Sequence, residues 1–244
     1  MQLIKLDATA STNLYLKNLM LEDNLVDFTI VTAKEQVKGK GQMGASWESE
    51  KGKNLTFSIL KHQQMLFIKD QFVLNMLVSL AIYRSLECIK IPDLSIKWPN
   101  DILSGRNKIC GILIENLLLG QKISASIIGI GLNVNQTQFK NLPNASSLKL
   151  ITGKTFDLDE VLQIIAKNLE LLFGELESGH EQLLKKAYLK VLFRKDKAST
   201  FKNKASNELF TAIIRTIAAD GTLVLELEDQ VLKRYDLKEI KLMY

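Results

Sequence analysis

A glycine-rich segment, GKGQMG at residues 39–44, contains residue types that could bind an anion. It has the spacing G-x-G-x-x-G, in which backbone without side-chain bulk lets main-chain N–H groups approach a phosphate. Lys40 adds an ammonium group inside the loop, and Gln36 and Gln42 add amides. The segment therefore predicts a loop that closes over a phosphate.

The sequence after this loop argues against a dinucleotide-binding fold and against a P-loop. Residues 45–54 (ASWESEKGKN) are polar, whereas a dinucleotide site needs an apolar helix whose N-terminus meets the pyrophosphate. A dinucleotide site also needs an acidic residue about 20 residues further on to bind the ribose, and this chain has none there. A P-loop would end in Gly-Lys-Ser/Thr, which the segment lacks. The glycines are equally compatible with a flexible hairpin, so they do not identify a function by themselves.

A second polar cluster, KWPND at residues 97–101, ends a predicted strand with a cation, an aromatic face, an amide and a carboxylate. Lys108 follows at the start of an apolar strand, from which its ammonium group could reach a cleft. Asn-Asp after proline is also ordinary turn chemistry. The cluster therefore gains weight only from its neighbours.

Glycines also interrupt two apolar strands. Gly129 and Gly131 alternate with apolar residues, so both lie on the same face of a strand. Gly111 lies in the preceding strand, where it would permit close approach of a ligand or a neighbouring backbone. A face without side chains favours the binding of a flat ligand.

In order and spacing, five motifs resemble the catalytic domain of the biotin protein ligases. They are Ser11-Thr12-Asn13, Gln36 with GKGQMGxxW (39–47), KWPND (97–101), Lys108 in KxxGIL and GxGLNVN (129–135). KWPND with the lysine after it is the most specific part. Members of this family make biotinyl-5′-adenylate from biotin and Mg-ATP, and then transfer biotin to one lysine of a carrier domain.

The resemblance implies a role for each matching residue. The catalytic group would be Lys108, between the biotin carboxylate and the α-phosphate, together with Lys40 of the glycine-rich loop and Asp101, which would orient Lys108 or the metal. Biotin would be bound by Ser11, Thr12, Asn13, Gln36, Gly39, Lys108, Gly111, Leu113, Gly129 and Gly131. ATP and the adenylate would be bound by Lys40, Gln42, Trp47, Asn100, Lys108 and Asn133. Mg²⁺ would be bound mainly by the phosphates of ATP, with Asp101 as a further candidate ligand.

The glycine-rich loop departs from the family pattern. Many members carry arginines there, as in GRGRRG, where this chain has Lys40, Gln42 and Met43. One cation replaces as many as three, so we expect Mg²⁺ and Lys108 to neutralise more of the phosphate charge. Adenylation joins two anions and depends on charge neutralisation more than on acid–base catalysis, which suits a chain with two His and two Cys.

The elements that must position these residues follow an α+β pattern. Apolar runs predict strands at 28–33, 55–60, 94–98, 109–118 and 123–134, and helical spacing predicts helices from Ser11, at 70–88, from Asp157 to about 179, and at 182–193. With the resemblance, this predicts a mixed or antiparallel sheet flanked by helices, as in class II aminoacyl-tRNA synthetases and biotin ligases. Short strands at 209–217, 222–227 and 231–235 predict a small SH3-like β-barrel. We expect a catalytic domain at 1–193 and the barrel domain at 194–244.

Composition restricts the class of protein. With 46% hydrophobic and 24% charged residues the chain is expected to fold, and a net charge of +5 is modest for a nucleic-acid binder. We expect a cytoplasmic protein without a membrane span, because secretion signals, a disulfide framework and an apolar stretch of about 20 residues are all missing. Ten residues precede Ser11, too few for a helix-turn-helix, so we expect no DNA partner.

Two other functions remain compatible with the sequence. A lipoate ligase has the same fold and also activates a carboxylate through an adenylate, but its dithiolane lacks the ureido group that Ser11, Thr12 and Gln36 would bind. A non-catalytic ligand-binding or regulatory protein is a further alternative. The expected partners are biotin and a biotin carboxyl carrier protein or domain, and we expect a monomer or a homodimer.

Overall fold

A seven-stranded mixed sheet forms the larger part of the computed structural model, which describes residues 2–63, 66–140 and 142–244. Across the sheet the strand order is β1-β2-β3-β7-β6-β5-β4, with β1 and β2 parallel and the other neighbouring pairs antiparallel. The strands are β1 (Gln2–Thr9), β2 (Thr29–Gln36), β3 (Leu55–His62), β4 (Leu94–Lys97), β5 (Asp101–Ser104), β6 (Asn107–Leu119) and β7 (Lys122–Leu132). The predicted fold class, a mixed sheet with helices against it, is confirmed.

Helices pack against this sheet and bury its core. They are α1 (Thr12–Glu22), α2 (Phe72–Cys88), α3 (Leu148–Thr152), α4 (Leu158–Glu177) and α5 (Glu181–Lys190). The predicted start of α4 is confirmed, because the Asp157 side chain accepts a hydrogen bond from the Glu160 N–H at 3.0 Å. Most of α2 is buried, including Leu74, Leu77 and Ile82. The apolar run that predicted this helix therefore forms the centre of the core.

A second, five-stranded antiparallel sheet follows in the chain, with the order β11-β10-β9-β8-β12. Its strands are β8 (Ala198–Asn203), β9 (Leu209–Ile217), β10 (Leu223–Glu226), β11 (Leu232–Tyr235) and β12 (Ile240–Met243). This sheet is consistent with the expected SH3-like barrel, whereas the boundary between 193 and 194 stays a prediction. Trp98 Nε1 donates to the carbonyl of Gly221 at 2.9 Å and so ties the two sheets together.

Several elements escaped the sequence patterns. β1 is largely exposed and alternates polar with apolar residues weakly, β5 and β12 have four residues each, and β8 lies in a basic, apolar-poor segment. The short helix α3 was also missed. In the described parts of the chain, no helix is both long and apolar enough to cross a membrane.

Candidate active site

A cavity of about 240 Å³ lies between the glycine-rich loop and the face of β6 and β7. It brings together all of the predicted site residues except Gly39 and Asn133. Those that line it are Ser11, Thr12, Asn13, Gln36, Lys40, Gln42, Trp47, Asn100, Asp101, Lys108, Gly111, Leu113, Gly129 and Gly131. The segments that supply them are far apart in sequence, so the sheet order is what assembles the site.

One group of polar side chains forms a connected network at the start of α1. Gln36 Oε1 accepts hydrogen bonds from the Thr12 N–H at 2.8 Å and from the Thr12 hydroxyl at 3.0 Å. The Ser58 hydroxyl lies 2.7 Å from Thr12 Oγ1 and 2.6 Å from Asn13 Oδ1. Asn13 Nδ2 donates to a Glu115 carboxylate oxygen at 2.6 Å, which fixes the orientation of the Asn13 amide. The Thr12, Asn13 and Ser58 side chains are therefore held in place before any ligand arrives.

Two further donors of this group are free to bind a ligand. Ser11 occupies the N-cap position of α1 and is 5% exposed, yet its hydroxyl makes no capping hydrogen bond. Because Gln36 Oε1 is already used twice by Thr12, the Nε2 of the same amide remains as a donor, with no partner among the described residues. The group therefore offers both donors and acceptors to a polar ring.

The glycines of β6 and β7 allow side chains to lie directly on the sheet. Gly111 and Gly131 are paired in register, and the indole of Trp47 lies against both. A Cβ at Gly131 would be 2.3 Å from Trp47 Cε2, and a Cβ at Gly129 would be 2.3 Å from Asn13 Oδ1. The flat group on the predicted bare face is thus Trp47 itself, and its Nε1 is buried without a hydrogen-bond partner in the described structure.

A charged group lies next to this indole. Lys108 Nζ is 2.6 Å from Asp101 Oδ1, and Lys97 Nζ is 3.3 Å from Asp101 Oδ2. Two ammonium groups thus share one carboxylate, which leaves an excess of one positive charge at the cavity wall. Lys108 Nζ also lies 5.8 Å from the centroid of the Trp47 ring. This arrangement favours the binding of an anion.

Two lysines surround the carboxylate of Asp101, the residue expected to orient Lys108 or the metal. Both of its oxygens already contact ammonium groups, so it fits the orientation of Lys108 better than the binding of a metal cation. Within residues 2–63, 66–140 and 142–244, no cluster of three His, Cys, Asp or Glu side chains is placed to hold a metal ion. Binding of Mg²⁺ mainly through the phosphates of ATP stays a prediction.

Gly39 and Asn133 lie outside the cavity lining. Gly39 closes the base of the glycine-rich loop, since its carbonyl accepts from the Trp47 N–H at 2.9 Å and a Cβ there would be 2.4 Å from the Trp47 oxygen. Asn133 is buried and its Nδ2 donates to the Ser146 carbonyl at 3.0 Å, while its Oδ1 has no hydrogen-bond partner in the described structure, so its expected contact with the adenine stays a prediction. Asn100 does line the cavity, while its amide donates to the Ile112 carbonyl and so holds the KWPND turn against β6.

Some residues at or beside the site carry no sequence motif. Ser58 is fully buried in β3, inside an apolar run that carries no motif. Leu237 lines the cavity from the loop between β11 and β12, so the second sheet contributes to the wall. Lys97 and Trp98 also line it, and their place within KWPND could have identified them.

Comparison with known proteins gives consistent results. Residues 6–133 match the biotin/lipoate A/B protein ligase family. The chain is 30% identical over 224 residues to the bifunctional ligase/repressor BirA of Bacillus spizizenii, covering 88% of this chain and 67% of that one. It is 32% identical over 165 residues to the biotin--[acetyl-CoA-carboxylase] ligase of Paracoccus denitrificans, covering 65% and 67%. A solved structure of the biotin protein ligase from Aquifex aeolicus with biotin and ATP superposes with a TM-score of 0.80 at 27% identity, covering 99% and 98%.

Proposed function

The chain belongs to the biotin/lipoate A/B protein ligase family, and we propose that within it the chain is a biotin ligase. It uses ATP to activate biotin as biotinyl-5′-AMP and transfers the biotin to a specific lysine of a biotin carboxyl carrier domain. The observation that carries this proposal is that one cavity contains both a network of uncharged polar groups and a pair of lysines around one carboxylate. Such a cavity suits a ligand with a polar ring at one end and a carboxylate at the other.

The polar network supports a ureido ring as the ligand. Three oxygen–oxygen contacts join the side chains of Gln36, Thr12, Ser58 and Asn13. Only the Thr12 and Ser58 hydroxyl groups carry hydrogens for these contacts, one each. Acceptor capacity therefore remains for the N–H groups of a ureido ring. The free donors, Ser11 Oγ and Gln36 Nε2, can bind its carbonyl oxygen. A dithiolane ring has neither N–H groups nor a carbonyl, so this network disfavours the lipoate ligase.

The position of the charged group supports adenylation at the other end of the ligand. Asn13 lies on Gly129, whereas Trp47 and Lys108 lie near Gly111 and Gly131, two residues further along the strand pair. In the first step a carboxylate oxygen of biotin forms a bond to the α-phosphorus of ATP, and pyrophosphate leaves. Lys108 would stabilise the charge shared by the carboxylate and the α-phosphate, while Asp101 holds its ammonium group in place.

The glycine-rich loop would cover the adenylate. Lys40 and Gln42 line the cavity, and an isolated antiparallel β-bridge between the backbones of Lys40 and Ser46 closes the loop. Mg²⁺ bound to the phosphates of ATP would neutralise charge that a single loop lysine leaves uncompensated. In the second step the neutral amine of the carrier lysine attacks the acyl carbon, an amide bond forms and AMP leaves. A site closed against water protects the mixed anhydride in the meantime.

We also assign the reaction to the cytoplasm. Cys88 is exposed and Cys110 is buried, and both are free thiols, as is usual in a reducing compartment.

Covalent labelling tests the proposed function. The chain is incubated with labelled biotin, Mg-ATP and a biotin carrier domain, and the carrier is examined for label. Label should depend on ATP and should be lost when the acceptor lysine of the carrier is replaced by arginine. Excess unlabelled biotin should suppress it and excess lipoate should not. Suppression by lipoate, or label on the arginine variant, would contradict the proposal.

A further inference from the structure

We propose that Ser58 is a positioning residue that sets the biotin affinity of the site without touching the ligand. This inference rests on the proposed function, because it assigns Ser58 to the polar end of the same cavity. Ser58 is fully buried and is not among the residues that line the cavity. Any effect on ligand binding must therefore pass through its neighbours.

The register of the sheet places Ser58 beneath the polar end of the cavity. Ser58 of β3 is paired with Gly129 of β7. Because Gly129 has no side chain, the Asn13 amide can lie against this point of the sheet, with Oδ1 2.3 Å from where a Cβ would be. The Ser58 hydroxyl thus meets Thr12 and Asn13 where the start of α1 packs onto the sheet.

Hydrogen bonding shows how Ser58 acts on both neighbours. Its hydroxyl lies 2.7 Å from Thr12 Oγ1 and 2.6 Å from Asn13 Oδ1, and each of these side chains is less than 6% exposed. Asn13 Nδ2 is held by Glu115 from the other side, so the Asn13 amide oxygen has to face Ser58. Ser58 therefore decides where the hydroxyl hydrogens of the network point, and hence which oxygens remain open to a ligand N–H.

Loss of this hydroxyl has a defined expected effect. Ser58→Ala removes the hydroxyl that lies between Thr12 Oγ1 and Asn13 Oδ1. Thr12 is then positioned by its hydrogen bonds to Gln36 and Asn13 by those of its Nδ2, without the contact that ties the two side chains together. Uncompensated loss of one such hydrogen bond corresponds to a weakening of about five- to tenfold. Because the charged group around Lys108 is untouched, the chemical step and ATP binding should be preserved.

Calorimetric titration of biotin in the absence of ATP is the primary measurement. Ser58→Ala should raise the biotin Kd about five- to tenfold, and steady-state assays should show a raised KM for biotin with kcat and the KM for ATP nearly unchanged. The matched control is Ser126→Ala, which removes another fully buried hydroxyl. Ser126 lies on β7 and its hydroxyl is bonded to Asn116 of β6 at 2.8 Å, so this change should leave all four values unchanged.

A double-mutant cycle tests whether Ser58 acts through Thr12. The effects of Ser58→Ala and Thr12→Val on the biotin Kd should be less than additive, because the same hydrogen-bonded chain is broken in both. Strict additivity would overturn the inference, as would an unchanged biotin Kd in Ser58→Ala or an equal loss in Ser126→Ala. If the unmodified chain binds no biotin at all, the proposed function fails instead, so the two failures are distinguishable.

Discussion

Replacement of Lys108 by alanine is the most direct test of how the site handles charge. Lys108 Nζ lies 2.6 Å from Asp101 Oδ1, and its side chain is 37% exposed, so the ammonium group can reach a ligand while it is still oriented. Two lysines against one aspartate give a local charge of +1, and Lys108→Ala reduces it to zero. The site then has no excess charge with which to bring a carboxylate and a phosphate together. Loss of one such group costs about 10²–10³ in rate.

Biotin-dependent exchange of labelled pyrophosphate into ATP measures this step without a carrier protein. The exchange rate of Lys108→Ala should fall by about 10²–10³, while its free energy of unfolding changes by less than about 1 kcal/mol, because the ion pair is partly exposed. Lys5→Ala is the matched control, since it breaks a 2.7 Å ion pair with Asp159 outside the cavity and should exchange normally. Exchange near the unmodified rate in a folded Lys108→Ala variant would refute the assigned role.

Three further changes test the packing around the site. Gly221→Ala should lower the free energy of unfolding in urea by about 2–3 kcal/mol, because φ at this position is +89° and a Cβ would lie 2.4 Å from the Phe72 ring. Lys61→Ala should lower it by about 1–3 kcal/mol, since the side chain is 8% exposed and its ammonium group is paired with two carboxylates; an unchanged urea midpoint would contradict this. In thiol titration the native chain should react at Cys88 alone, because burial raises the pKa of the Cys110 thiol, and both thiols should react after unfolding.

The sequence predicted the central strands well because each contains several buried apolar residues close together. β3 is almost entirely buried and β7 is buried over most of its length, and their isoleucine and leucine residues indicate this directly. β1 is exposed along most of its length and is held by parallel pairing with β2, which local sequence does not encode. Sequence patterns therefore located the central strands of the sheet and the edge strand β4, and missed the edge strand β1.

The site shows the same division. Motif residues such as Gln36 and Lys108 carry their chemistry in their own side chains, so their types and spacing were enough to single them out. Ser58 and Leu237 matter only through their place in the folded chain. Ser58 contacts the start of α1, and Leu237, in the loop between β11 and β12, lines the cavity. Asn133 belongs to the GxGLNVN motif, but its side chain is buried and its Nδ2 donates to the Ser146 carbonyl. Long-range packing, which one sequence does not reveal, accounts for these differences.

The chain has two tryptophans, Trp47 and Trp98, and both line the cavity. Indole emission responds to local polarity and hydrogen bonding, so the tryptophan fluorescence of this protein arises entirely at the site. Trp47 is poised to respond most strongly, because its ring lies on Gly111 and Gly131 and its N–H is buried without an acceptor in the described structure. The unmodified protein thus carries its own optical reporter of cavity occupancy, and ligand titrations need no dye, label or coupled assay.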